Sequence, residues 1–371
     1  MASPDKVVMF FPYVADGAAA AVGKIIQSRW IGQGALVADF EEAVSSVSGA
    51  PHAAAVSHVS AAIRLALAII GVGPGDEVIT TPQTCTATNH PILEQFAVPV
   101  FADIHMLNGN IDHHDIEHRI TEKTKAVIVA HWGGYPCDLD EIHAIAARHG
   151  LPVIEDAGDA LGASYKNRSI GTISPFTCFN FQAIQQITTA EGGLLCTLDA
   201  DHHQAALRRR WFGIDRRNRT PNSAGYYDFD VNETGYGYHM TNIQAAIGIA
   251  NLSDFEAILK RRRDISARYR EALRTADGVT LFHDFNDRES ACQLFSFLVP
   301  RRDDFFRAMR DRGVETSIVH NRNDIYTVFG GKRSDLPHLD QFSEQFICIP
   351  LHNQLSDAQI EHVIDSIGKG W

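Results

Sequence analysis

The sequence predicts an α/β fold, with a large domain built on a mainly parallel seven-stranded sheet and a smaller α+β domain behind it. Three observations carry that reading. Between about residues 50 and 200 short β-branched runs alternate with helical stretches, the pattern of βαβ crossovers. After Tyr238 the alternation stops and long charged helices mix with isolated strands. The chain has 371 residues, 45% hydrophobic and 21% charged, which is enough for two or three domains with substantial cores.

The strands are expected, in order, at Ala54–Ser57, Glu77–Thr80, Val98–Ala102, Ala126–Ala130, Val153–Glu155, Phe176–Phe181 and Gly193–Thr197, each a short apolar run. Between them, Ala61–Ile70 carries apolar residues at helical spacing, and Leu139–His149 is a second helix with Asp138 as its N-cap. In the C-terminal part, helices are expected at Asn242–Asn251 and Asp254–Ala276, a strand at Leu294–Val299, and a helix at Asp303–Arg312. An irregular stretch over 320–342, a strand at Ile347–Ile349 and a final helix begun by Ser356 complete the pattern. The boundary is placed at residue 248, giving domains 1–248 and 249–371, and the polar segment 216–235 is expected to be a mobile connection.

Composition narrows the function. The net charge of −12 argues against nucleic acid as a partner, because neutralising phosphates dominates such binding. The runs Arg208–Arg210, Arg216–Arg217 and Arg261–Arg263 are expected on solvated helix faces. Six cysteines without a C-x-x-C pair read as reduced core thiols, so no metal site is expected. No run approaches the ~20 apolar residues of a membrane span, and residues 1–12 do not form a secretory signal. A cytoplasmic protein is expected.

Two segments carry chemistry. In Val153–Ala163 an apolar strand ends in Glu155-Asp156, which sets carboxylates at the carboxyl edge of the sheet, where open α/β sheets bind ligands. Asp159, a few residues on, reads equally as a helix N-cap or as a catalytic group. Phe179–Gly193 runs from a strand into a polar turn and then Gly-Gly, while Ser57–Ala62 is a small-residue turn opening a helix, a ready phosphate site. Ser60 in that turn reads as a ligand group or an ordinary cap.

With Trp30–Gly34, Phe40-Glu41, Thr81–Asn89, His131–Asp138, Gly235–Gly248 and the ending Ile349–His352, these segments resemble, in order and over nearly the whole chain, the DegT/DnrJ/StrS family of sugar aminotransferases. The resemblance implies the fold-type I architecture of enzymes that use pyridoxal 5′-phosphate (PLP), cycling through pyridoxamine 5′-phosphate (PMP). It implies that Asp156 pairs with the cofactor's ring nitrogen, keeping the ring an electron sink. It also implies that Ser60, the backbone at Val59 and Asn180 hold the phosphate, that Gln182 is a further cofactor-binding residue, and that Cys85 stands where relatives place an aromatic ring. In relatives a Gly-Tyr-Asn-Tyr-Arg-Met segment reaches the neighbouring subunit's cofactor; here it is Gly235–Met240, with Gly237 in place of the amide. A homodimer is therefore implied, acting on a nucleotide-linked keto sugar with an amino donor such as glutamate or glutamine.

The departure that matters most is Gln185, where relatives carry the Schiff-base Lys. An amide is neither nucleophilic nor basic near neutral pH, so amino transfer should be impaired. The lysines present are Lys6, Lys24, Lys123, Lys125, Lys166, Lys260, Lys332 and Lys369, and none falls in a segment that would replace it; Lys166, the nearest to a motif, reads as a surface residue. Three readings remain. The chain is an aminotransferase with a deliberate Lys-to-Gln change, a homologue of the PMP-dependent 3-dehydratases of keto-deoxy sugars, or an inactive binding homologue. Asp159 favours the second, since those dehydratases tend to carry Asp there, and Gln185 opposes it, since a base should replace the lysine. His58, His131, His239 and His320 are further polar residues expected near the site or in structural roles.

Overall fold

The computed structural model describes residues 6–216 and 219–371; Arg217 and the first residues of the chain lie outside them. The chain opens with α1 (Ala18–Ser28) and α2 (Ala35–Ser48), then runs β1 (His52–Val56), α3 (Val59–Ile70), β2 (Glu77–Thr80), α4 (Thr86–Glu94), β3 (Val98–Phe101), α5 (His113–Arg119), β4 (Thr124–Ala130), α6 (Leu139–Arg148) and β5 (Val153–Asp156). A small hairpin, β6 (Ser164–Tyr165) and β7 (Arg168–Ser169), precedes β8 (Phe176–Asn180), β9 (Gly193–Thr197) and α7 (Ala200–Arg209). The C-terminal part consists of α8 (Asn242–Leu252), α9 (Phe255–Leu273), β10 (Thr280–Leu281), β11 (Arg288–Glu289), β12 (Phe295–Leu298), α10 (Arg302–Asp311), α11 (Pro337–Gln345), β13 (Phe346–Ile349) and α12 (Asp357–Gly368).

The main sheet has seven strands in the order β1-β9-β8-β5-β4-β2-β3. From β8 to β3 every pairing is parallel, and β9 runs antiparallel to both neighbours. The strands are nearly continuous apolar runs because helices cover both faces. One face packs with α2, α6 and the start of α9 around Phe40, Ile142 and Phe255, the other with α3 around Ile63 and Leu67. The smaller sheet, β10-β12-β13, has its own core, in which Phe297 and Phe305 meet Ile265 and Tyr269 of α9. Helix α9 thus lends residues to both cores.

Several local expectations need correction. Asp138 precedes α6, but its side chain caps nothing; Oδ1 accepts from Arg288 Nη1 at 2.7 Å instead. No helix begins at Asp159, so the capping alternative fails there. The cap of α3 is His58, whose Nδ1 accepts from Ala61 N at 3.0 Å, and Ser60 is not a cap. The arginine runs are not wholly solvated. Arg210 is buried against Glu41, and the buried Arg262 donates to the carbonyls of Cys292, Gln293 and Leu351. The stretch expected to be irregular contains the start of α11, which opens with Pro337 in its first turn. Segment 216–235 carries an isolated bridge, Pro221 to Tyr227, and no helix or strand among its described residues.

Candidate active site

The carboxyl ends of β4, β5 and β8 open into a cavity of ≈ 410 Å³. Val59, Ser60, Cys85, Asp156, Asp159, Asn180, Gln182 and Gln185 all line it, although they come from four separate stretches of the chain. His58, His131 and His320 line it too. His239 does not, and packs instead on Trp211 with ring centroids 3.8 Å apart. Gly237 also lies outside the cavity, bridged to Trp211 and beside the exposed ring of Phe212.

Strand alternation sends the two carboxylates at the end of β5 to opposite sides. Glu155 is fully buried; its Oε2 lies 2.7 Å from His131 Nε2 and its Oε1 accepts from Ser174 N at 3.0 Å. Burial would raise this carboxyl, but those bonds more than offset it and hold it below the ordinary range. Glu155 therefore anchors the loop that starts at His131, a structural task. Asp156 faces the cavity floor. Its Oδ2 accepts from Thr88 Oγ1 at 2.6 Å and its Oδ1 from Gly158 N at 3.0 Å, so the carboxylate is held at both oxygens. Gly158 gives the room, since a Cβ there would stand 3.1 Å from Asp156 Oδ1 and 3.2 Å from Asn180 Cβ. Burial raises the Asp156 carboxyl despite these bonds, the signature of an anion that lacks a cationic partner.

Asp159 stands a further turn along. Burial, reinforced by the charge of Asp156, lifts its carboxyl to about 6. Gln185 Nε2 donates to Asp159 Oδ1 at 3.1 Å, while Gln185 Oε1 is buried with no hydrogen-bond partner. The turn that carries Gln185 is built by its own side chains: Asn180 Oδ1 accepts from Gln182 N at 3.1 Å and Gln182 Oε1 from Ile184 N at 3.1 Å. At the cavity's other end the first turn of α3 presents Ser60, whose hydroxyl has no hydrogen bond among the described residues. Burial lowers the His58 imidazole, which keeps this cap neutral and the helix N-terminus free to attract an anion.

These residues fit PLP as a non-covalent guest. A fixed carboxylate is suited to a ring nitrogen, and a helix N-terminus beside an unbonded hydroxyl is suited to a phosphate. No lysine lines the cavity, and Lys166 is half-exposed and paired with Asp140, as expected of a surface residue. Sequence reasoning missed Thr88, which grips Asp156 from 68 positions away, and Gln293, which lines the cavity from the C-terminal part. Neither carries a local signal, because each acquires its place only when α4 or the loop before β12 folds over β5.

A profile of the DegT/DnrJ/EryC1/StrS aminotransferase family matches residues 13–368. The spore coat polysaccharide biosynthesis protein SpsC of Bacillus subtilis is 34% identical over 359 residues, 93% of this chain and 92% of that protein. The UDP-4-amino-4-deoxy-L-arabinose–oxoglutarate aminotransferase of Shewanella sediminis is 31% identical over 374 residues, 94% of each chain. Among solved structures, AtS13 from Actinomadura melliaura superposes with a TM-score of 0.94 at 33% identity, covering all of both chains. Other matching structures hold a PLP or a PMP form.

Proposed function

The chain belongs to the DegT/DnrJ/EryC1/StrS aminotransferase family, whose cofactor is PLP and whose reaction is amino transfer to a sugar, and from that premise we propose what its own residues do. The parent activity is transfer from an amino donor such as glutamate or glutamine to a nucleotide-linked keto sugar. It is carried out by a cytoplasmic homodimer whose large domain, 1–248, holds the cofactor and whose small domain, 249–371, helps close the cavity. When bound, PLP supplies an electron sink and carries the amino group between donor and sugar.

Asp156, fixed by Thr88 and Gly158, faces the ring nitrogen and keeps a proton there. Ser60, the amide of Val59 and the positive end of α3 hold the phosphate, with Asn180 and Gln182 beside it. Cys85, at the start of α4, is a thin wall against the ring, and Gly237 of a second subunit approaches the phosphate. Gln185 occupies the place of the amine, where it neither bonds covalently nor moves a proton. The absence of any lysine from the cavity wall carries this reading. Both half-reactions should be slowed by at least the 10²–10⁴-fold that a positioned base contributes, roughly.

The test is Gln185→Lys, supplied with PLP, glutamate and a panel of nucleotide-linked keto sugars. Amino sugar detected by mass, formed much faster than by the unaltered chain, supports the reading. No amino sugar with any donor or acceptor sinks it. One observation favours a second reading: Asp159, lifted to about 6 and bonded to Gln185, can carry a proton near neutral pH, as a PMP-dependent dehydratase needs. Loss of water from the sugar on adding PMP to the unaltered chain would mark that activity. Cofactor binding with no turnover by either protein would mark an inactive binding homologue.

A further inference from the structure

Outside the cavity, two histidines and an aspartate converge from three separate elements. His105 lies in the loop after β3, His113 is the first residue of α5, and Asp138 immediately precedes α6. His105 Nε2 stands 3.3 Å and His113 Nδ1 3.6 Å from the same oxygen, Asp138 Oδ2. The three atoms lie within 4.8 Å of one another, and no other group of this kind occurs among the described residues. Both ring nitrogens are shielded from solvent and face the Asp138 carboxylate at ion-pair distance rather than in a well-directed hydrogen bond. Two imidazole nitrogens from different elements thus converge on one carboxylate oxygen, an arrangement a small cation could share.

We propose that His105, His113 and Asp138 form a binding site for a divalent metal ion of the zinc class, with water completing the coordination. Tetrahedral zinc with ligands about 2.0–2.1 Å away has ligand-to-ligand edges of roughly 3.3–3.4 Å. The two edges to Asp138 Oδ2, 3.3 and 3.6 Å, need adjustments of only tenths of an ångström, and the edge between the two nitrogens, within 4.8 Å, closes by a turn of the imidazole rings. Two imidazoles and one carboxylate are a zinc donor set, and they are too few in oxygen for calcium or magnesium.

The surroundings support the site as well as oppose it. Asp138 Oδ1 accepts from Arg288 Nη1 at 2.7 Å, which orients Oδ2 toward the histidines as a second-sphere donor orients a ligand. The same guanidinium adds positive charge beside the site and weakens it, and the neighbouring His114 ring packs on His113 with centroids 4.1 Å apart. Asp112, whose Oδ1 lies 3.6 Å from His105 Nε2, offsets part of that charge. The ion would clip α5 to the loop 131–138, whose first residues, His131 and Trp132, line the cavity. The spacing of 8 and 25 residues between the three ligands matches no compact metal motif, so the sequence alone gives no sign of the site.

The full chain, stripped with a chelator that is then removed, is titrated with zinc(II) by calorimetry and with cobalt(II) by visible absorption. One equivalent of zinc should bind per chain, raising Tm, with intense cobalt bands typical of four-coordination. His105→Gln and His113→Gln should each weaken zinc binding at least tenfold, and His118→Gln on the exposed side of α5 should not. Circular dichroism establishes that the variants are folded. Failure of the unaltered chain to bind zinc, or cobalt bands of only octahedral strength, would overturn the proposal whatever the variants do. Equal zinc affinity in the unaltered chain and both histidine variants would overturn it as well.

Discussion

Gln185 donates its side-chain amide to Asp159 at 3.1 Å and leaves its carbonyl oxygen buried without a partner. One half of the amide is satisfied by a carboxyl lifted to about 6, and the other half is not satisfied at all. Gln185 also lines the cavity, so its carbonyl oxygen is available to a bound molecule.

The first prediction concerns pH. The Asp159 carboxyl, at about 6, lies above the ordinary aspartate value of about 3.9, so the folded chain holds a proton that the unfolded chain releases. The stabilising share of this group is complete below about pH 4 and is lost as pH rises through about 6. Asp159→Asn should therefore be more stable than the unaltered chain at pH 8, by about 1–2 kcal/mol after allowing for the open cavity, with the gap closing near pH 4. Urea denaturation at the two pH values checks this, and a variant destabilised equally at both would contradict it.

Thr88→Val removes one of the two bonds that fix Asp156 while keeping the side-chain volume. A hydrogen bond to a charged group contributes about 1.5–3 kcal/mol, so PLP should bind roughly 10- to 100-fold more weakly. Fluorescence titration with PLP reads the loss directly; unchanged affinity would remove Thr88 from the site.

How much of this was legible in the sequence depended on the range of each interaction. The strand positions were readable because the strands of the main sheet, the edge strand β3 apart, are largely buried apolar runs, and β2 and β9 fall where expected to the residue. Helix α11 was not, because only Leu339 and Phe342 of its residues are buried, too short a period to separate from a loop. Asp138 has the local look of a cap, yet Arg288, 150 positions away, takes its carboxylate. The convergence of the cavity-lining segments was readable from their order, while the grip of Thr88 and the meeting of His105 with His113 arise only in the folded chain.

Stability should be sensitive to the pair of Arg210 and Glu41. Both are buried, and the same carboxylate accepts from Ala55 N at 2.9 Å while Arg210 donates to Ala55 O at 2.7 Å. Arg210→Met would leave Glu41 buried without its cation, costing about 3–5 kcal/mol. Lys260→Met, which breaks an exposed pair with Asp264, should cost under about 1 kcal/mol. Equal losses in thermal or urea unfolding would refute the distinction.

Assembly gives a further expectation. Trp30 is 66% and Phe212 52% exposed, more than isolated surface rings need, and Phe212 adjoins Gly237. Sedimentation at micromolar concentration should show a dimer, and Phe212→Glu should shift it toward monomer with weaker PLP binding. A monomer that binds PLP at full affinity would exclude a shared site.

On the proposed reading this chain holds its cofactor without a covalent bond, since no lysine lines the cavity and Gln185 would stand in place of the amine. Borohydride reduction of the PLP-loaded protein, followed by intact-mass measurement of the denatured chain, tests it most directly. The unaltered chain should show its own mass alone, whereas Gln185→Lys should gain the mass of one reduced cofactor. A cofactor adduct fixed to the unaltered chain, on any residue, would contradict the account.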